Sequence, residues 1–217
     1  MFDHFFQHWI NREMTSPLMD HFMAGITNFS AWRPLIFLAV FLGLLFGNVR
    51  IRIMLLILAL ALGMTDGVIV HTIKHLVGRA RPLQVEPGVR VVSLVPSSPQ
   101  IATLFVRPQI SSPQVPPLGT KIQGVSFPSS HAANIFVIAT VLFLFYRRLG
   151  IGAFVIAFLV GYSRIYTGAH WPVDVIVGAC IGISNGILIT CLMNQIWRKW
   201  GEYFAPKLAK QYPDFHL

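Results

Sequence analysis

The sequence predicts an all-α membrane protein, a polytopic bundle of five or six transmembrane helices with one long extracytoplasmic loop. Two observations carry that prediction. The 217 residues are 54% hydrophobic and only 12% charged, about half the charged share of a soluble domain. Five apolar runs can also each be extended towards the roughly 20 residues that cross a bilayer, and a soluble fold burying all five would have too little polar surface left to solvate.

The elements follow in order. The opening "MFDHFFQHWI" has no basic stretch ahead of an apolar one, so it does not read as a cleavable leader. Residues 16 to 31, "SPLMDHFMAGITNFSA", are amphipathic and fit either an interfacial helix or a polar sixth span. The apolar runs begin at Leu35, Ile51, Ala133, Ile151 and Val175. Glycines at 63 and 67, and at 178, 182 and 186, have the four-residue spacing that lets helix backbones approach closely in lipid. Cys180 and Cys191 fall on one helix about 16 Å apart, too far to bond to each other, and read as small packing residues. The whole of 1–217 reads as a single domain, with an N-terminal helix within 1–31, the loop at 83–127 and a cytoplasmic tail at 195–217.

Arg50 and Arg52, Arg147 and Arg148, and Arg198, Lys199, Lys207 and Lys210 fall on one side by alternation of the spans. Short basic connections of this kind mark the cytoplasmic face. The opposite side, which holds the long loop and also Arg79, Arg81, Arg90, Arg107, Lys121 and Arg164, then lies outside an inner or plasma membrane. The net charge of +9 has no basic stripe interleaved with aromatics, so anionic membrane lipid, not nucleic acid, is the expected partner. Nothing in the sequence sets the oligomeric state. In the loop, "SLVPSSPQIATLFVRPQISSPQVPPLG" is expected to be extended, because its repeated prolines remove helix donors, while "VRVVSLV" suits a short strand or hairpin arm.

Three polar clusters break this pattern. In "KHLVGRARP", Lys74 and Arg81 are seven residues apart and would share a helical face. They either snorkel to headgroups or, because Lys74 lies inside the span, serve a function. In "FPSSHAAN", Ser129 suits a helix cap, which would aim the amides of Ser130 and His131 outward as an anion cradle; the same residues also fit an ordinary capped helix with an interfacial histidine. In "SRIYTGAHWPVD", Pro172 opens the last helix, placing His170 at its mouth and Asp174 four residues on, near enough to accept from one imidazole nitrogen and leave the other free to attack. Arg164 ends the preceding span with a planar fork suited to phosphate. Counting span reversals brings all three clusters to one membrane level.

Together these segments resemble the type 2 phosphatidic acid phosphatase family, which is related to vanadium haloperoxidases and bacterial acid phosphatases. Its pattern is Lys, six residues, Arg-Pro; then Pro-Ser-Gly-His; then Ser-Arg, five residues, His, three residues, Asp. Residues 74 to 174 match in order and spacing, with Ser130 in place of the glycine. The resemblance implies a membrane lipid phosphatase in which His170 is the nucleophile, Asp174 orients it and His131 is the acid and base. It also implies that Lys74, Arg81, Arg164, Ser129 and the Ser130 amide hold the phosphate, with no metal or other cofactor.

Undecaprenyl pyrophosphate is the first expected substrate; phosphatidylglycerol phosphate, phosphatidate and lipid A phosphate are alternatives, and the long loop is expected to lid or shape the headgroup pocket. An ion or proton transporter using Lys74 and Asp66 is a more remote alternative. Asp66 is expected to pair inside the bundle. His71 and His75, though spaced to share a metal, lack a carboxylate partner nearby, while His4, His8, His21 and His216 read as interfacial or terminal.

Overall fold

The structure is a computed structural model that describes residues 1–117 and 124–214; Lys121 and His216 lie outside the described residues. Each apolar run forms a helix. They are α3 (Phe29–Phe46), α4 (Val49–Met64), α7 (Ser130–Phe145), α8 (Arg147–Tyr166) and α9 (Pro172–Phe204). Helix α4 passes through a π-helical segment, Thr65–Val70, into α5 (His71–Val77). Four of these stretches are long and apolar enough to cross a membrane, and α7 is a shorter apolar helix. Much of their apolar surface faces outward. On α3, Phe37 is 66% and Phe46 82% exposed, which suits lipid and would be untenable in water.

Helix α7 is the centre of the bundle, packed against α4, α8 and α9. It reads as apolar all round because it has neighbours on every side, none of its residues being exposed. Val137, Val141 and Phe145 meet Met54, Ile57 and Ala61 of α4 in one cluster, and Phe136 and Ala139 meet Ala157 of α8 in another. Helix α9 packs on α7 through glycine. A methyl at Gly178 would stand 2.6 Å from the Ser129 carbonyl oxygen, and one at Gly186 would stand 3.0 Å from Thr140 Cβ. The expectation for Gly63 and Gly67 is overturned, since both face open space. Polar contact across helices is made nearby instead, where Asn185 Nδ2 donates to the Ala61 carbonyl (2.9 Å) and to Thr65 Oγ1 (2.7 Å), at the start of the π-helical segment. Cys180 and Cys191 are likewise exposed on α9 and do not pack in the core.

At one end of the bundle the first two basic connections meet. Arg50 donates to the Phe145 carbonyl (2.7 Å) and its guanidinium lies over the Tyr146 ring. At the other end the N-terminal segment folds over the helix ends. Helix α1 (Phe2–His8) runs into a π-helical turn and is followed by α2 (Pro17–Thr27), capped by Ser16, whose side chain accepts from Met19 N. With 11 residues, α2 is about 16 Å long, roughly half the hydrocarbon thickness, so residues 16–31 do not supply a sixth helix of spanning length. It buries Met23 and Ala24 beside Ile165 and Tyr166. Asp20 accepts from Arg90 (2.9 Å) and from Tyr166 Oη (2.7 Å).

The long loop starts where Gly78, in a left-handed conformation (φ 60°), ends α5. After α6 (Pro82–Val85) comes β1 (Val91–Ser93), paired antiparallel with β2 (Gln109–Ser111), Val92 opposite Ile110. The hairpin arm is therefore present. The loop is not extended throughout, however, because Gln100–Phe105 forms a 3-10 helix against α3. That stretch falls between Pro99 and Pro108 and contains no proline of its own, so its donors are intact.

The α7–α9 contact predicts a stability difference. Gly178→Val should lower the thermal midpoint in detergent by several degrees, for an overpacking cost of about 1–3 kcal/mol. Gly152→Ala on α8, where nothing lies within 4 Å, should leave the midpoint unchanged or raise it slightly.

Candidate active site

The three polar clusters meet at the end of the bundle covered by α1 and α2. Ser129 caps α7, its side chain accepting from Ala132 N, and its own amide donates to the Asp174 carbonyl (3.0 Å). The start of α7 is thus tied to the start of α9. Lys74 reaches the same point from α5 and donates through Nζ to Ser130 Oγ (2.6 Å). The residue that departs from the glycine of the motif therefore holds the lysine.

Lys74 and Arg81 do not share a helical face. The helix stops at Gly78, and Arg81 precedes α6 in extended backbone. Even so, Lys74, Arg81 and Arg164 lie within electrostatic reach of one another. Asp66 is exposed and is not paired inside the bundle, while its charge bears on Lys74. His71 and His75 are exposed with their Nε2 atoms 3.1 Å apart. Among the described residues no group of three His, Cys, Asp or Glu side chains is placed to hold a metal ion.

His170 is 2% and Asp174 0% exposed. The backbone N–H groups of Ala169 and His170 both donate to the Arg164 carbonyl (3.1 Å), which fixes the turn between α8 and α9. His170 Nδ1 stands 3.7 Å from Asp174 Oδ2, longer than the direct hydrogen bond expected of that spacing. The reason is that Asp174 turns back to cap its own helix, Oδ2 accepting from Trp171 N (3.0 Å) and from Ser126 Oγ. Ser126 Oγ lies 3.5 Å from His170 Nδ1. Asp174 Oδ1 accepts from Arg79 Nη1 (2.8 Å). Burial pushes His170 down to about 4, against the pull of Asp174, and the Arg164 and Arg81 charges add to the depression.

His131, in the first turn of α7, and Arg164 face a cleft of about 420 Å³. Its other walls are the α2–α3 turn with Thr27, Asn28 and Ser30, the β1 segment from Val91 to Leu94, and Leu83. Part of the long loop therefore shapes this space. Arg164 Nη1 donates to Thr27 Oγ1 (2.7 Å), while the Nε atoms of Arg81 and Arg164 are buried with no hydrogen-bond partner among the described residues. The arrangement offers cations and helix-start amides on one side and a buried imidazole backed by a carboxylate on another, a combination suited to holding an anion against a nucleophile.

Sequence reasoning missed Ser126, Arg79, Asp3 and Trp171. Trp171 Nε1 donates to the Ala80 carbonyl (2.9 Å) and its ring meets that of His4 at a tilt, while His4 Nδ1 lies 2.9 Å from Glu86; the exposed His4 thus borders the site. The only sequence signal for Arg79 was its place two residues before Arg81, and none marked Asp3 or Ser126.

Comparison with known proteins agrees with the geometry. The model of the PAP2 superfamily matches residues 52–198. The lipid A 4'-phosphatase of Bacteroides thetaiotaomicron is 30% identical over 186 residues, covering 83% of this chain and 72% of that protein. A putative undecaprenyl-diphosphatase, YbjG of Escherichia coli, is 38% identical over 90 residues, 40% of this chain and 42% of that one. Other curated relatives are matched over about a third of their own length or less. The crystal structure of Aquifex aeolicus LpxE superposes with a TM-score of 0.63 at 27% identity, covering 87% of this chain and 94% of that one. The chain is an integral membrane protein that belongs to the PAP2 superfamily, and it is a phosphatase of that family.

Proposed function

We propose that the protein hydrolyses a lipid phosphate or pyrophosphate monoester through a phosphohistidine on His170. The observation that carries this reading is the buried imidazole itself, whose Nδ1 side is occupied by Ser126 and Asp174. With Ser126 Oγ donating to Asp174, Nδ1–H points to that pair and Nε2 keeps its lone pair. Nε2 attacks the terminal phosphorus, its bond to the bridging oxygen breaks, and that oxygen, leaving with the lipid alcohol of a monoester or with the lipid monophosphate of a pyrophosphate, takes a proton from His131. His131 then takes a proton from water as that water attacks the phosphohistidine, releasing inorganic phosphate and restoring neutral His170. In between, the phosphorylated imidazole is cationic, and the Asp174 carboxylate stabilises it. Lys74, Arg81, Arg164, Ser129 and the Ser130 amide hold the nonbridging oxygens, where phosphoryl transfer needs most of its stabilisation. The grouping of Arg50 and Arg147 at the opposite end of the bundle supports an extracytoplasmic site in an inner or plasma membrane.

Relatives named undecaprenyl-diphosphatases support undecaprenyl pyrophosphate as substrate. A second reading, a phosphate on a lipid-linked sugar, is favoured by the cleft on the His131 side, where the leaving group sits. Apart from His131 and Arg164, its polar lining is neutral: Thr27, Asn28, Ser30, Ser93 and Thr167. Hydroxyl and amide groups match sugar hydroxyls, whereas a phosphate leaving group calls for further cations. The extended match to a lipid A 4'-phosphatase points the same way.

Three outcomes are expected. His170→Ala should abolish release of phosphate from lipid phosphates and the trapping of labelled phosphohistidine after a brief exposure to substrate; full activity in this variant would sink the mechanism. Ser130→Ala should lower kcat/KM on the order of tenfold, about 1.4 kcal/mol, by freeing Lys74. The acidic limb of kcat/KM that belongs to the nucleophile should lie near pH 4 instead of the ordinary histidine range, because His170 stays unprotonated down to that pH. A turnover panel of undecaprenyl pyrophosphate, phosphatidylglycerol phosphate, phosphatidate and lipid A decides the substrate.

A further inference from the structure

We infer that the N-terminal helix belongs to the catalytic apparatus, with Asp3 and Arg79 acting as positioning residues that fix the carboxylate of Asp174 behind His170. Arg79 lies between two acids. Its Nη1 donates to Asp174 Oδ1 (2.8 Å) and its Nη2 to Asp3 Oδ2, while Asp3 Oδ1 accepts from the Val173 amide (3.0 Å) in the first turn of α9. The guanidinium is also held over the Trp171 ring at 5.2 Å. All three side chains are sheltered, Asp3 being 13% and Arg79 29% exposed against 0% for Asp174. Asp3 lies outside the matched residues 52–198, and Arg79 is not among the motif residues of the family pattern.

The line Asp3–Arg79–Asp174–His170 has a physical consequence that packing alone would not have. A lone arginine on Asp174 would neutralise much of the charge that must stabilise a cationic phosphohistidine. Asp3 offsets that arginine, so Asp174 keeps both its orientation and its field at His170. The charged groups that bear on His170 are Asp174 from α9, Arg164 from α8, Arg81 from the segment after α5 and His131 from α7. Arg79 stands one hydrogen bond behind Asp174, so changing Arg79 or Asp3 alters one contribution while leaving the others in place.

This inference rests on the proposed role of His170, and the experiment separates the two. Asp3→Asn, Arg79→Gln, the double variant, His170→Ala and a control, His8→Ala on the outer side of α1, are purified in detergent. Each is assayed with the fastest substrate of the panel across pH. Asp3→Asn should lower kcat severalfold with KM little changed and move the acidic limb of kcat/KM to lower pH. Arg79→Gln should lower kcat about ten- to a hundredfold, as loss of a supporting partner commonly does, and move that limb to higher pH. The double variant should be no slower than Arg79→Gln, because Asp3 acts through Arg79. His8→Ala should keep wild-type kcat.

Opposite displacements of the pH limb are a signature that simple destabilisation does not give. Wild-type kcat and pH profile in Asp3→Asn, alongside an inactive His170→Ala, would overturn this inference and leave the mechanism standing. An active His170→Ala would remove both. If Arg79→Gln does not fold, Arg79→Lys takes its place, and unchanged kinetics in Asp3→Asn remain decisive.

Discussion

A carboxylate with no exposed surface must be surrounded by donors, and in this protein that carboxylate is Asp174. An isolated buried charge costs several kcal/mol, which only close partners recover. Asp174 finds them in the Trp171 amide at the start of its own helix, in Ser126 from the end of the long loop and in Arg79 from beyond α5. Its main-chain carbonyl accepts from the Ser129 amide at the start of α7. Meeting the needs of one side chain therefore draws together the beginnings of α7 and α9 and the segment after α5. His131 follows Ser129 by two residues and His170 precedes Asp174 by four, so both imidazoles are placed by the same set of bonds. The close approach of α7 and α9 at Gly178 is the packing condition that allows the Ser129–Asp174 bond to form.

The cations around this point are sorted by partner. Arg79 and Arg90 are each bonded to an aspartate and are locally neutralised. Lys74 donates to the Ser130 hydroxyl and Arg164 to the Thr27 hydroxyl, so these two are oriented by neutral groups and keep their net charge. Arg81 and Arg164 also retain buried Nε donors without partners among the described residues. Lys74, Arg81 and Arg164 form no ion pair among the described residues, Asp66 acting on Lys74 without direct contact, and gathering three like charges in this way is unfavourable unless something else is gained. Anion binding is the gain that fits, and a phosphate with several accepting oxygens can satisfy all of them together. Ser130 serves this sorting, since its hydroxyl fixes Lys74 without cancelling its charge.

How far the sequence was legible follows from the range of the interactions. Apolar runs are local signals, and all five are helices. The cap at Ser129 and the helix start at Pro172 are also local and sit where the residue types place them. The nearness of Asp174 to His170 was legible from four-residue spacing, but not the 3.7 Å separation or the competing bonds of Asp174 to Trp171, Ser126 and Arg79, two of which come from 48 and 95 residues away. The shared face of Lys74 and Arg81 failed at Gly78, whose left-handed backbone ends the helix between them. Gly63 and Gly67 looked like a packing seam by spacing, yet spacing cannot say which face of a helix has a neighbour. The 3-10 helix at Gln100–Phe105 was hidden by counting prolines over the whole loop instead of between Pro99 and Pro108.

The level of the site within the bundle bears on what reaches it. Helix α7 has 16 residues, about 24 Å, shorter than the roughly 30 Å hydrocarbon layer, shorter than α8 and α9, and shorter than the continuous helical stretch that α4 begins. Its capped start therefore lies near or below the ends of its neighbours, and Lys74 meets it from within a spanning stretch. Above this level α1, α2 and the β1 segment form a cover held by Asp20, Arg90 and Asn11. A phosphate on a soluble molecule would have to pass that cover alone, whereas on the proposed function a lipid phosphate would be brought towards Lys74, Ser130 and His131 by its own tail. A cleft under such a cover, at the start of a helix short for the hydrocarbon layer, thus suits the proposed lipid substrates, and it does so through helix length and capping before any contact to the lipid tail is made.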